Sequence, residues 1–327
     1  DFIDCSMKIF MIFQILVIIQ FDLLSQIDEE IITLESSNPY TFNDIIDHLD
    51  DQEKQIVYGK LKFPEKSVKN KKYPLIIGVA GSLGWSDHHY EYLEMYRTMG
   101  IATFELNSFK SREIESTVGT QNTVTISAMI LDAYTALKKL SNHPNIMKDK
   151  ISITGWSLGG GVALFSAWLP LKNAIIKELK FNSHLAFYPP CFIEPEKINF
   201  SNSPIHILIG ELDNWTPAEP CNDLFLKSRS NTNLGLTIFK NSHHSFDRNG
   251  PVIRDENAYN FTNCRFKLME NGDILMNYLN IPMSNSFLQK IGFAFCVSRG
   301  VDYGGNMLAR KESFEFARKF MEKNLLL

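Results

Sequence analysis

Cysteine is scarce in this sequence, with five residues in a chain of 327. A disulfide scaffold cannot hold a chain of that size, so its stability must come from a hydrophobic core. An excess of charge is missing too: Lys and Arg number 33 against 37 Asp and Glu, a formal net charge of −4. That balance leaves no electrostatic footprint for a nucleic-acid partner. No apolar run reaches the roughly 20 residues that a spanning helix needs. No internal repeat is present, and no stretch rich in Pro, Gly or Ser divides the chain. What is there is ordinary for a globular fold, 44% hydrophobic and 21% charged, which excludes collagen-like and wholly disordered readings.

The first residues have a character of their own. The sequence opens at Asp1, and Met7 is the first plausible start. Lys8 precedes Ile9 to Ile19, apolar except for Gln14, and Gln20, Asp22 and Ser25 follow. A short basic region, an apolar stretch of about 11 residues and a small residue near Ser25 match a secretory signal peptide. The expectation is an export signal within residues 1–25, a mature chain of 26–327 without a membrane span, and a periplasmic or secreted location.

Beyond residue 26 strands alternate with helices. Gln55 to Phe63 places Val57, Gly59, Leu61 and Phe63 on one face, the period of a half-exposed strand. Pro74 to Ala80 is a continuous apolar run, as expected of a strand covered on both faces, and Ile101 to Leu106 reads as another buried strand. Ile151 to Thr154, His184 to Tyr188, Ile205 to Gly210 and Gly235 to Phe239 supply further strands. Helical spacing appears over Tyr90 to Met99, Thr123 to Leu140, Leu158 to Leu169 and Glu312 to Leu325. This order predicts one α/β domain over 26–327, with a mostly parallel central sheet and helices on both faces.

The chemistry concentrates at Gly155-Trp156-Ser157-Leu158-Gly159, a G-x-S-x-G directly after a strand and directly before a helix. Such a turn holds the serine in a strained conformation with its hydroxyl above the sheet. The helix start aims the Leu158 N–H at a developing oxyanion. A serine nucleophile needs a base, and the base needs an orienting acid. After the strand ending at Gly210 come Glu211 and Asp213; after the strand ending at Phe239 come His243 and His244. Asp213 is the expected acid with Glu211 its competitor, while His243 and His244 both qualify as base. His88 and His89 are adjacent and lack ligand spacing, so no metal is expected. Trp156, Tyr188, Trp215 and Phe246 are candidates to line a substrate pocket.

Five segments together resemble the dienelactone hydrolase family of α/β-hydrolases: Val79-Ala80-Gly81-Ser82, Gly100 to Phe104, Gly155 to Gly161, Gly210 to Cys221, and His243 to Asp247. The likeness runs from about Gly59 to the end. It implies an α/β-hydrolase fold, Asp213 as acid, and His244, which precedes Ser245 and Phe246, as base. Ser82 and Leu83 match the loop that supplies the second oxyanion N–H, assigned to Leu83. Arg248 matches a family arginine that holds a substrate carboxylate. The enzyme that names the family uses cysteine where this chain has Ser157. The resemblance implies a cofactor-free hydrolase of small to medium carboxylic esters or lactones, acting through an acyl-enzyme. A polyester hydrolase and a serine peptidase on the same fold are alternatives, and a non-catalytic binding protein is a third.

Four cysteines follow the expected signal. Cys191 and Cys221 follow strands expected to be neighbours at the catalytic edge, and Cys264 and Cys296 share the segment between His244 and the last helix. The expected bridges are Cys191–Cys221 and Cys264–Cys296.

Overall fold

The computed structural model describes residues 29–327 except 66, 69 and 230; the expected export signal and Cys5 lie outside the described residues. The apolar runs form strands β1 (Glu29–Ser37), β2 (Lys54–Lys62), β3 (Tyr73–Val79), β4 (Ala102–Leu106), β5 (Ile146–Trp156), β6 (His184–Phe187), β7 (Ile193–Pro195), β8 (Ile205–Gly210) and β9 (Leu234–Phe239). All but β7 join one sheet in the order β1-β2-β4-β3-β5-β6-β8-β9. The β1–β2 and β2–β4 pairs are antiparallel and the others parallel. Every residue of β3 is buried, as a strand covered on both faces must be. β2 buries only alternate positions, Val57 and Leu61 among them.

Helices α1 (Phe42–Asp47), α2 (Asp87–Thr98), α3 (Ile126–Leu140), α4 (Leu158–Phe165), α5 (Leu169–Ile175), α6 (Ala218–Ser228), α7 (Ser286–Ala294) and α8 (Met307–Met321) accompany the sheet. The apolar stripe of α3 buries Met129, Ile130, Ala133, Leu137 and Leu140. Its Asp132 is buried as well, accepting two bonds from Arg112 at 2.7 and 3.0 Å and one from Ser36 Oγ at 2.5 Å. That cluster ties the edge strand β1 to the helix layer.

Several boundaries differ from the sequence expectation; β5, for one, begins five residues earlier, at Ile146. The helix expected over 158–169 stops at Phe165, and a second begins at Leu169 with Pro170 in its first turn, where a missing N–H costs nothing. The last helix starts a turn earlier than expected because Asn306 caps it, its side chain accepting from the Leu308 and Ala309 amides. The segment after His244, for which the sequence offered no clear period, forms β10 (Ile253–Asn260), β11 (Phe266–Leu268), β12 (Ile274–Leu275), α7 and β13 (Ser298–Tyr303). β10 pairs with β13 and β11 pairs with β7, so the excursion folds back over the sheet's carboxyl edge as a cap. Cys191 is bonded to Cys221 and Cys264 to Cys296.

His184, at the start of β6, is buried with its Nδ1 2.9 Å from the Ala163 carbonyl. Burial pushes its imidazole down to about 4. Unfolded, the ring takes up its proton at its ordinary value of 6.5. Stability contributed by the neutral ring is therefore complete above pH 6.5 and lost as pH falls toward 4. At about 1.4 kcal/mol per pKa unit the loss is roughly 3 kcal/mol. Urea unfolding at pH 7 and pH 4.5 should show that fall, and His184→Gln should make it visibly shallower; an unchanged slope would refute the assignment.

Candidate active site

The sheet order reverses around β3, whose neighbours are β4 on one side and β5 on the other. Chains leaving β3 and β5 diverge there and open a crevice at the carboxyl ends of the strands. Ser157 follows β5 into that crevice with φ 55° and ψ −115°. Few L-residues sit at such angles without being held. The Ser157 N–H donates to the Phe187 carbonyl at 3.0 Å, and the Ser157 carbonyl accepts from Gly161 at 2.9 Å. A Cβ at position 155 would lie 2.0 Å from the Gly159 carbonyl oxygen, and one at 159 would lie 2.1 Å from that of Val79. Both glycines are therefore required by the close approach of the turn to its own helix and to β3.

Loops after β8 and β9 bring the other two groups to the same edge. His244 Nε2 lies 2.9 Å from Ser157 Oγ, and its Nδ1 lies 2.7 Å from Asp213 Oδ2. Asp213 also accepts from the Trp215 and Thr216 amides at 2.9 and 2.8 Å and from the Thr216 hydroxyl at 3.1 Å. A buried carboxylate bonded this fully is fixed in position. Glu211 turns outward instead, pairing with Lys240 at 2.7 Å and the Asn241 amide at 3.0 Å. His243 reaches neither Ser157 nor Asp213; its buried Nδ1 makes no hydrogen bond among the described residues.

Gly81 abuts the nucleophile, since a Cβ there would stand 3.2 Å from that of Ser157. Ser82 and Leu83 follow in a turn closed by the Gly84 N–H donating to the Gly81 carbonyl at 2.9 Å. Leu158 heads α4, so its N–H has no partner within the helix.

The aromatic candidates divide. Trp215 borders the cavities at Ser157, with its ring 4.9 Å from that of His244. The Trp156 and Tyr188 rings also border the smaller cavity while packing into the core. Trp156 stacks on His89 and Phe187, and Phe246 packs between Tyr188 and Phe239 without reaching either cavity. Tyr188 braces the base, its ring 4.6 Å from that of His244 and its hydroxyl donating to Asp247 at 3.0 Å. Arg248 borders the smaller cavity beside His88 and lies over the Tyr303 ring.

Sequence reading passed over the layer behind the base. Asp247 is fully buried, its second oxygen makes no hydrogen bond among the described residues, and burial raises its carboxyl to about 6. Facing it, burial lowers His88 to about 3, helped by Arg248 and Arg310. Thr216 was also missed, although its place three residues after Asp213 is the spacing of a side-chain-to-backbone turn.

A serine on a strand-to-helix turn, followed along the chain by an acid and a histidine in loops of one parallel sheet, defines an α/β-hydrolase. A sequence model of the dienelactone hydrolase family matches residues 94–267, and the chain belongs to that family. The family is one of hydrolases. Among solved structures, esterase 2 of Thermogutta terrifontis, phosphoramylated by tabun, superposes with a TM-score of 0.53 at 13% identity, over 89% of this chain and 94% of that one. A dienelactone hydrolase-like promiscuous phosphotriesterase from metagenomic libraries superposes with a TM-score of 0.51 at 14% identity, over 91% and 99% of the two chains. At that identity both likenesses speak to the fold. No curated protein matches the sequence significantly.

The two histidines should separate cleanly when Ser157 is challenged with a fluorophosphonate. His244→Ala should slow labelling by about three orders of magnitude or more, since it removes the imidazole that contacts Ser157 Oγ at 2.9 Å. His243→Ala should stay within about tenfold of the parent, the range of a peripheral change. Equal losses would overturn the placement.

Proposed function

We propose that this chain hydrolyses carboxylic esters through Ser157, His244 and Asp213. The observation that carries the reading is the unbroken path from Asp213 through His244 to Ser157, at 2.7 and 2.9 Å, ending on a strained serine. In the first step Ser157 Oγ bonds to the ester carbonyl carbon while His244 takes its proton. Asp213 holds the imidazole in the right tautomer and stabilises its cation. The Leu158 N–H and a second amide of the Ser82–Leu83 turn, assigned to Leu83, stabilise the oxyanion, each contributing about 3 kcal/mol. His244 then gives its proton to the departing alkoxide, leaving an acyl-serine. His244 next deprotonates a water whose oxygen bonds to the acyl carbon; the acyl–Oγ bond breaks, the acid is released and His244 returns the proton to Ser157 Oγ. No metal or cofactor is needed at any step.

A polymer surface calls for an open cleft, whereas the cavity behind Ser157 is walled by cap residues Phe261, Phe266 and Phe293. That favours small or medium esters over polyesters. Ser157→Ala should keep the fold by circular dichroism and lower p-nitrophenyl ester turnover by about four orders of magnitude or more. Full turnover in that variant would end the proposal.

We infer export as well, supported by the two disulfides and by the apolar stretch after Lys8. No helix among the described residues is long and apolar enough to cross a membrane. Non-reducing peptide mapping of native material should recover both bridges, whereas four alkylatable thiols would sink the export reading.

A further inference from the structure

Two cavities meet at Ser157, and their chemistry differs. The larger, of about 120 Å³, also reaches Leu158 and runs under the cap. Its walls are apolar, with Ile126, Phe192, Phe261, Phe266, Met283 and Phe293 prominent, and none of its described lining residues carries a charge. Its polar side chains are bonded within the protein: the Tyr40 hydroxyl donates to Gln289, the Ser82 hydroxyl to Gln121 at 3.3 Å, and the Thr125 hydroxyl to the Pro39 carbonyl at 2.7 Å. The smaller cavity, of about 30 Å³, holds His244, Ser245, His88 and Arg248.

Proton transfer decides which part of an ester enters which cavity. The alkoxide that leaves must collect its proton from His244 Nε2, so it departs on the side where His244 is exposed. His244 borders the smaller cavity and is not among the residues lining the larger one. The oxyanion turns toward the Leu158 amide. The one direction left to the acyl chain leads into the apolar cavity.

We propose that the larger cavity is the acyl site and that it selects uncharged, apolar acyl chains, with the alcohol leaving through the smaller one. The proposal rests on the ester-hydrolase reading above. At roughly 30 Å³ for each water-sized unit, the cavity accommodates about four such units, so acyl chains of about four to six carbons fill it. Part of its wall is the Phe293 ring, 5.3 Å from that of Phe261 and 5.7 Å from that of Phe266. The Cys264–Cys296 bond lies next to all three rings in sequence and pins the loop of Phe261 to the end of α7. Chain length is thus read by a wall that the bridge holds in place.

The test compares kcat/KM for p-nitrophenyl acetate, butyrate, octanoate and palmitate, with the glutarate monoester set against the pentanoate as a charged acyl group of matched length. Ser157 is titrated in parallel with a fluorophosphonate. Butyrate should exceed acetate and palmitate by about tenfold or more, as burial of extra methylenes and then their exclusion require. Pentanoate should exceed the glutarate monoester by about 100-fold or more, because an unpaired carboxylate would lose its water. Phe293→Ala should move the optimum toward octanoate; the wild-type series stands on its own if that variant fails to fold. A flat profile, or equal use of the charged ester, with Ser157 fully labelled overturns the acyl site and leaves the hydrolase reading intact. An unlabelled Ser157 with no ester turnover overturns both.

Discussion

Everything at this site depends on a single tight turn. β5 must reverse into α4 within a few residues while wedged between β3 and β6, and the backbone at Ser157 takes up the strain. The neighbours dictate the composition: the Val79 and Gly159 carbonyls stand where side chains at 159 and 155 would go. The same compression delivers the hydroxyl above the sheet and turns the first amide of α4 toward it. Relaxing the turn would save the strain and lose the alignment with His244. A conformation that costs about 1–3 kcal/mol survives because the strands on both sides leave no other path.

The three groups that meet at Ser157 were legible because each one is announced by a local pattern. Ser157 sits between glycines at a strand-to-helix boundary, and Asp213 and His244 each follow an apolar run. The sheet follows for the same reason, since β3, β4 and β8 are short, mostly apolar and bounded by polar turns. What lay beyond reach was tertiary. Nothing local distinguishes Phe246, which is core, from Trp156, Tyr188 and Trp215, which border the cavities at Ser157; ring orientation is decided by neighbours far away in sequence. The cap was illegible for a related reason. Its strands are mostly two to eight residues long, they pair with each other and with β7, and their apolar residues follow no single period.

Around the base, the structure sets two kinds of support against each other. Asp213 is saturated with donors and holds one side of the imidazole. On another side the Tyr188 ring packs against His244, and that tyrosine is positioned in turn by Asp247, a carboxyl whose second oxygen is left without a bond among the described residues. A buried group so poorly satisfied is a net cost to folding. Its place beside the histidine ties that cost to the active site rather than to the core at large.

The base of the cap has a consequence for descent. Ile253 and Tyr303 are paired, and the Gly304 amide donates to the His244 carbonyl, so the excursion leaves and re-enters the domain at nearly one point. Closing a loop of any length between two such neighbours costs little more for a long loop than for a short one. The fifty or so residues between them are therefore free to be lengthened, trimmed or exchanged by recombination while the sheet, the elbow and the histidine stay in register. Lineages built on this frame can diversify what they digest without re-inventing how they digest it.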